Sequence, residues 1–530
     1  MRQISQRIIM LRGWPRVLLC FAAGAVTSLA QAPFHAFIVC FVTFPILVFV
    51  LDGITADPDK RLSTVRQAFA TGWLFGWGYF IAGLWWLSNA LLVEAPEFAW
   101  FIPVAVFGLP AVLAVFYGLA TAFARVFWPD SMGRLFSLAL FFGLAEWLRS
   151  FVLTGFPWNA IGYAAMPVPV LMQSVVLFGL FGVSALGVLL FSLPAAAIAG
   201  RRSRVIGALL VILLGGSHGG FGLYRLAMAP DPALDAETRS ISVRLVQPNL
   251  DQSQKVARED PAATFDDLLA LSALPPEDGS IGQPSWVIWP ETAVPYILTR
   301  QPAALAAIGD TLADGQVLLT GAVREELTSS DTRQGSRFYN SVLAVSDAGI
   351  ITGAADKVRL VPFGEFLPLS DVFRQLGLDA IAAADRGYSS AATRSVLTLD
   401  DINIVPLVCY EAIFPAQLVP GDIILNVTND GWFGNTPGPY QHMHQSRLRA
   451  VEAGIPLIRL ANTGLSGVFD PYGRAEAWIS FGERGAADVE VPLAKAQMVA
   501  VLDANFNYWL LNVILSIITL TSVILWRRRR

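Results

Sequence analysis

The sequence predicts two kinds of structure in one chain: a multi-span α-helical membrane domain of about eight helices, and a layered α/β domain. Three observations predict it. Of the 530 residues, 54% are hydrophobic and only 15% are charged, where a soluble chain carries roughly 25% charged residues. Apolar stretches near the ~20 residues that a span needs dominate the first 225 positions and recur at the end. Between them, short β-rich runs alternate with helical stretches.

The apolar stretches lie near 17–32, 34–51, 68–92, 99–124, 135–152, 168–199, 204–223 and 508–526. Charge in their connections sets the orientation, because Lys and Arg stay on the cytoplasmic side. The N-terminus carries Arg2, Arg7, Arg12 and Arg16; the second connection Lys60, Arg61 and Arg66; the fourth Arg125 and Arg134; the sixth Arg201, Arg202 and Arg204. The odd connections are poor in Lys and Arg, and the third holds Glu94 and Glu97. Eight alternating spans with both termini cytoplasmic satisfy this pattern. Residues 1–224 then form the transmembrane domain, 225–240 a linker rich in Pro, Asp and Ala, 241–504 an extracytoplasmic domain, and 505–530 a last span. Arg527 to Arg530 anchor that span inside. Ala30-Gln31-Ala32 mimics a signal-peptide cleavage site, but Pro33 and a second apolar run follow at once, so an uncleaved first span is expected.

The α/β domain is read from runs at Ile241–Gln247, Trp286–Trp289, Val317–Thr320, Ser341–Val345, Ile404–Val408, Ile423–Val427, Leu457–Leu460 and Met498–Leu502. Several are continuously apolar, as strands buried on both faces are. Ala262–Leu274, Ala303–Leu312 and Gln441–Ala453 read as helices.

Three strand ends carry ionisable or nucleophilic residues: Glu291 in Trp289-Pro290-Glu291-Thr292, Lys357 after Asp356, and Cys409 before Tyr410-Glu411. Strand ends are where α/β folds place their sites. Singly, each has a blander reading: a solvated turn glutamate, a surface Lys–Asp pair, a buried small thiol. Together they form a chemical unit. A thiol attacks as thiolate and needs a base or a positive neighbour. Glu291 can take its proton, Lys357 can hold the thiolate and then the oxyanion, and the Tyr410 amide can add a second oxyanion donor. Acyl transfer through a thioester splits one hard step into two.

The order Glu…Lys…Cys, with W-P-E, D-K-x-x-L-V-P-F-G-E and C-Y-E, resembles the nitrilase superfamily, which implies an αββα sandwich. The chain is most similar to the membrane branch of that superfamily, the apolipoprotein N-acyltransferase family. The resemblance also includes Glu146-Trp147-Leu148-Arg149, Thr154-Gly155-Phe156-Pro157-Trp158, Asn426 to Gly434, and Arg459 with Asn462-Thr463-Gly464. It implies Cys409 as nucleophile, Glu291 as general base and Lys357 as stabiliser of the intermediate. Glu365 resembles a supporting glutamate, Tyr410 and Glu411 residues that shape the pocket, and Trp432 and Phe433 a loop near the site. Val256 stands where a related segment often has Trp, so a lipid contact is not carried over to it.

The resemblance further implies the reaction. An acyl chain leaves a phospholipid, phosphatidylethanolamine being expected, for Cys409. It then passes to the α-amino group of a diacylglyceryl-cysteine at a lipoprotein's N-terminus. The expected setting is the bacterial inner membrane, with the catalytic domain in the periplasm and the enzyme a monomer.

Other signals are weaker. Leu369, Val372, Phe373 and Leu376 at helical spacing fit either an ordinary packed helix or a lid over the acyl entry. Glu146 and Arg149, three apart in a span, fit a self-neutralising pair or a headgroup contact. His442 and His444 face different ways on one helix and are poor metal ligands. Gly215 to Gly222 fit helix packing. No metal or nucleotide motif is present, so no cofactor or metal is expected. The net charge of −4 offers nothing to nucleic acid. Two other readings stay open: a membrane-tethered amidase on a small substrate, and a transporter or channel with a non-catalytic binding domain.

Overall fold

A computed structural model describes residues 2–54, 61–94, 101–198, 200–230, 239–252, 260–276, 282–327, 336–367, 387–415, 419–493, 495–496 and 504–528. The expected lid residues Leu369, Val372, Phe373 and Leu376, the run Met498–Leu502 and Val256 lie outside these. The chain divides into two compact units. The first is Met1–Ala229, Thr436–His444 and Met498–Arg530; the second is Pro230–Asn435 and Gln445–Gln497.

The first unit is helical at every expected apolar stretch. Among the described residues, four helices are long and apolar enough to cross a membrane: Val104–Val126, Val175–Ile198, Arg201–Ala227 and Ala504–Arg527. Arg2–Met10 and Trp14–Ala30 qualify together as a pair bent by 118°. Arg61–Leu84 is equally long but exchanges hydropathy for close packing. A Cβ on its Gly78 would meet the Phe21 carbonyl oxygen at 2.1 Å, and one on Gly24 of the facing helix would meet that of Phe75 at 1.8 Å. Small residues let the two backbones touch, the usual device between membrane helices. Gly133–Arg149 is shorter and carries Glu146 and Arg149, both buried. The Glu146 carboxylate accepts from the Tyr117 hydroxyl at 2.7 Å, the Ile161 N–H at 3.1 Å and Arg149 Nε at 3.1 Å. Arg149 also donates to the Phe156 and Trp158 carbonyls. This is the self-neutralising pair rather than a headgroup contact, and it pins the chain at 156–161. His442 packs on the Trp158 ring, and His444 on His35 and Tyr163.

The second unit contains two six-stranded sheets. Its strands are β1 (Ser240–Gln247), β2 (Trp286–Trp289), β3 (Val317–Leu327), β4 (Ser336–Ser346), β5 (Ile351–Asp356), β6 (Leu397–Leu399), β7 (Ile402–Val408), β8 (Ile423–Thr428), β9 (Leu457–Ala461), β10 (Ser466–Phe469), β11 (Ala475–Ile479) and β12 (Gly485–Pro492). One sheet runs β12-β1-β2-β3-β4-β5 and the other β11-β10-β9-β8-β7-β6. The inner strands β1-β2-β3 and β7-β8-β9 pair in parallel. Period-2 alternation explains the continuous apolar runs. Trp286 and Ile288 point into a core shared with Ile404, Leu425 and Ile458 of the other sheet. Val287 and Trp289 point the other way, onto Phe265, Leu268 and Ile308 of the helices Pro261–Ser272 and Pro302–Thr311. On the second sheet, Ser446 of the helix Pro437–Ala453 is bonded to Asn426 of β8 and Arg459 of β9. The layers are therefore helix, sheet, sheet, helix. The hairpin β3–β4 is longer than expected because its distal half is polar: Arg324–Glu326 pair with Arg337–Tyr339.

Candidate active site

Glu291 follows β2 after Pro290, and Thr292 turns at φ 44°. The neighbouring strand β3 presents Gly321, where a Cβ would lie 2.5 Å from Glu291 Cα. Only glycine admits the Glu291 backbone this close. Lys357 follows β5, with its amide bonded to the Asn340 carbonyl at 2.8 Å. Cys409 follows β7 and opens the 3-10 turn Cys409–Ile413 at φ 51°, a left-handed conformation that costs a non-glycine residue about 1–3 kcal/mol. Strain of this kind clusters at functional turns, where it aims a side chain.

The three side chains converge in a buried place. Lys357 is 1% exposed, Glu291 6% and Cys409 7%. Lys357 Nζ lies 2.8 Å from Glu365 Oε1 and 3.5 Å from Glu291 Oε1. Asn340 Nδ2 donates to both carboxylates, at 2.8 Å to Glu291 and 2.9 Å to Glu365, and the Val361 N–H donates to Glu365 at 2.8 Å. Burial disfavours the Lys357 ammonium, yet Glu365 and then Glu291 outweigh it and raise its pKa. The Cys409 thiol is pushed far up, first by burial and then by the Glu291 charge. Lys357 and a hydrogen bond from Thr428 oppose this. The resting thiol is therefore protonated at neutral pH.

The chain's similarity to known proteins bears on this site. Residues 23–193 match the family described as the apolipoprotein N-acyltransferase N-terminal domain, and residues 242–500 match carbon-nitrogen hydrolase. The apolipoprotein N-acyltransferase of Allorhizobium ampelinum is 48% identical over 522 residues, 97% of each chain. That of Agrobacterium fabrum is 47% identical over 536 residues, 100% of each chain. The chain belongs to the apolipoprotein N-acyltransferase family. Its second unit is a carbon-nitrogen hydrolase domain, with the two-sheet fold described above.

Within this family member, the other expected site residues have distinct places. Glu365 is part of the cluster itself. Glu411 is wholly buried and acts as a rivet. It accepts from the Val408 N–H at 2.8 Å, the Val358 N–H at 2.9 Å, the Arg359 N–H at 3.0 Å, and Arg394 at 2.9 and 3.1 Å. It thus ties the cysteine turn to the chain beyond Lys357. Tyr410 is buried against the Phe414 ring. Trp432 and Phe433 are half-buried on the 3-10 turn Asp430–Phe433 that follows β8, the parallel neighbour of β7.

Sequence reasoning missed Asn340 and Arg394, and met Thr428 only inside a motif. Asn340 lies inside β4 with no motif around it. Arg394 precedes β6 in a polar stretch. Arg459 was noted only as part of a motif. It bonds Asp430 at 2.7 Å, Ser446 at 2.9 Å, the Leu465 carbonyl at 3.2 Å, and Asn426. It fixes the start of the Trp432–Phe433 turn.

Proposed function

We propose that this chain moves an acyl chain from a phospholipid to the α-amino group of the diacylglyceryl-cysteine at a lipoprotein's N-terminus. The reading rests on one observation: a Glu291–Lys357–Cys409 cluster, buried and hydrogen-bonded, in a chain of the apolipoprotein N-acyltransferase family. Cys409 Sγ attacks the ester carbonyl carbon while its proton passes to Glu291. Lys357 Nζ and the Tyr410 amide face the oxyanion of the tetrahedral intermediate. The C–O bond breaks, and the lysophospholipid oxygen takes the proton from Glu291. The lipoprotein amine then attacks the thioester carbon and gives a proton to Glu291. The C–S bond breaks, an amide forms and the proton returns to sulfur. Glu365 and Asn340 hold Lys357 and Glu291 in place.

The setting we infer is the inner membrane of a bacterium. Eight spans carry both termini to the cytoplasm and the hydrolase domain to the periplasm, as the basic even-numbered connections support. Phosphatidylethanolamine is the proposed donor, and the enzyme works as a monomer.

Mass spectrometry of the purified chain tests this. Incubation with defined phosphatidylethanolamine should add one acyl mass at Cys409, and a diacylglyceryl lipopeptide should discharge it as amide. Unimpaired N-acylation by the Cys409→Ala variant would sink the reading.

A further inference from the structure

The first unit contains an apolar cavity of about 520 Å³, within the roughly 300–1,000 Å³ of small-ligand sites. Ala25, Leu29, Phe34, Ala82 and Trp85 line it, together with Gln441, and no lining residue is charged. It opens where Leu29, Phe34 and Trp85 are exposed. A uniformly apolar cleft would be filled by any hydrocarbon. Gln441 makes this one more particular.

Gln441 is 4% exposed. Its Oε1 accepts from Trp158 Nε1 at 2.9 Å, Asn159 Nδ2 at 3.1 Å and Trp86 Nε1 at 3.2 Å. Three donors on one oxygen fix the amide's orientation, so the NH2 must be its other end. One N–H goes to the Gly83 carbonyl at 3.3 Å. Among the described residues, no acceptor is bonded to the second. A buried donor left unmade costs about 1–3 kcal/mol, and here it borders a cavity whose other lining is apolar but for Ser28, whose hydroxyl donates to the Ala25 carbonyl at 2.7 Å. The complementary ligand is long and apolar, with one neutral acceptor at the end of its chain. An acyl ester has that form: its alkyl chain fits the apolar walls and its carbonyl oxygen accepts the Gln441 N–H.

We propose that this cavity is an acyl-chain subsite for a glycerophospholipid, with an ester carbonyl on Gln441 Nε2. A phospholipid is favoured over the diacylglyceryl acceptor because it is the bulk acyl ester of any bilayer and occupies the site by mass action. The uncharged lining admits the chain and leaves the headgroup outside.

Photo-crosslinking tests this without turnover, so its failure is separate from a failure of acyl transfer. The full chain in detergent micelles receives a trace of diester phosphatidylethanolamine carrying a diazirine in one chain. Adducts should concentrate on residues 25–34 and 82–85. They should fall at least fivefold in both Ala82→Trp and Ala25→Phe, which fill the cavity from two different helices. Unlabelled diester lipid should displace the probe, and its diether analogue, lacking the carbonyl, about fivefold less well. Three results overturn the proposal: adducts no denser there than on the largely exposed helix Arg201–Ala227, adducts unchanged in both variants, or displacement by a diacylglyceryl lipopeptide but not by phospholipid. Equal competition by the diether lipid removes the role of Gln441.

Discussion

Glu291→Gln should pull apart two properties of Cys409 that rise together in simpler thiol sites: its reactivity toward a small alkylating agent, and its ability to take an acyl chain. In the native cluster, two carboxylates surround the single Lys357 ammonium. Ionising the Cys409 thiol adds a further negative charge to a buried place. Glutamine keeps the shape of Glu291 and removes one charge, leaving a thiolate to share Lys357 with Glu365 alone. Two unit charges about 4 Å apart at an effective dielectric of about 20 interact by about 4 kcal/mol. A third of that is about one pKa unit, or about tenfold in thiolate at a given pH. Iodoacetamide should therefore alkylate Cys409 of the variant about tenfold faster at pH 8. The thiolate fraction rises with pH in both proteins, and the variant's curve should lie about one unit lower. Acyl-thioester formation should move the opposite way, falling about 10²–10⁴-fold with loss of the base. Both are read from the Cys409 peptide by mass spectrometry, which separates it from Cys20 and Cys40. Alkylation that is unchanged or slower refutes the charge argument. Undiminished thioester formation refutes Glu291 as the base.

Lys357→Met leaves Glu291 and Glu365 with Asn340 as their shared donor, and removing one partner of a buried pair costs about 3–5 kcal/mol. The melting midpoint in detergent should drop at pH 7. In the native chain, the raised Lys357 pKa gives stabilisation that is full below the ordinary lysine value of about 10.4 and lost only as pH rises through the folded value. Its contribution between pH 6 and 9 should therefore be flat, and a native-like midpoint in the variant at pH 7 would contradict the pairing. Gly321→Ala places a methyl 2.5 Å from Glu291 Cα and 2.6 Å from the Pro290 carbonyl oxygen. Such overpacking costs about 1–3 kcal/mol and should displace Glu291, so thioester formation falls; full activity in this variant would show that the backbone contact is not needed. Glu411→Gln turns an acceptor of backbone N–H and Arg394 bonds into a partial donor, at a cost of about 3 kcal/mol. It should lower kcat with little change in lipid KM, and a pure KM effect would argue against the rivet.

How far the sequence could be read depended on whether a residue's surroundings left a mark on its neighbours. Trp286–Trp289 is apolar throughout because both of its faces are covered, so the run was legible as a central strand. Gly485–Pro492 reads Gly-Ala-Ala-Asp-Val-Glu-Val-Pro and is half-exposed at a sheet edge, so no apolar run announced it; β5, β6, β10 and β11 were missed as well. Glu291, Lys357 and Cys409 were legible because each sits in a motif, and the three motifs stand in a known order. Asn340 was not. Its value lies in bonding two carboxylates that are 49 and 25 residues away, and nothing local in Phe338-Tyr339-Asn340-Ser341 encodes that. Glu411 was found by its motif, but its bonds were not legible, because five donors from three separate segments converge on it only in the fold. Among the apolar stretches, Arg61–Leu84 illustrates the limit of hydropathy. Its glycines serve backbone contact, which lowers the very index by which spans are recognised.

The protonated resting thiol has a consequence for the order of events. A site that kept Cys409 as a stable thiolate would need net positive surroundings. This site does the reverse. Burial and Glu291 keep the sulfur neutral, so the nucleophile forms only as an ester carbonyl arrives to accept its electrons and Lys357 to steady the oxygen. Once the thioester exists, sulfur can no longer carry charge, but Glu291 still stands beside the persistent Lys357 ammonium. The lipoprotein amine, which must lose a proton to become an amide, meets the same carboxylate that served the thiol. In the proposed mechanism one base serves both half-reactions. Replacing Glu291 should therefore slow both acylation of Cys409 and discharge of a chemically preformed thioester, whereas a residue needed only for donor binding would slow the first alone.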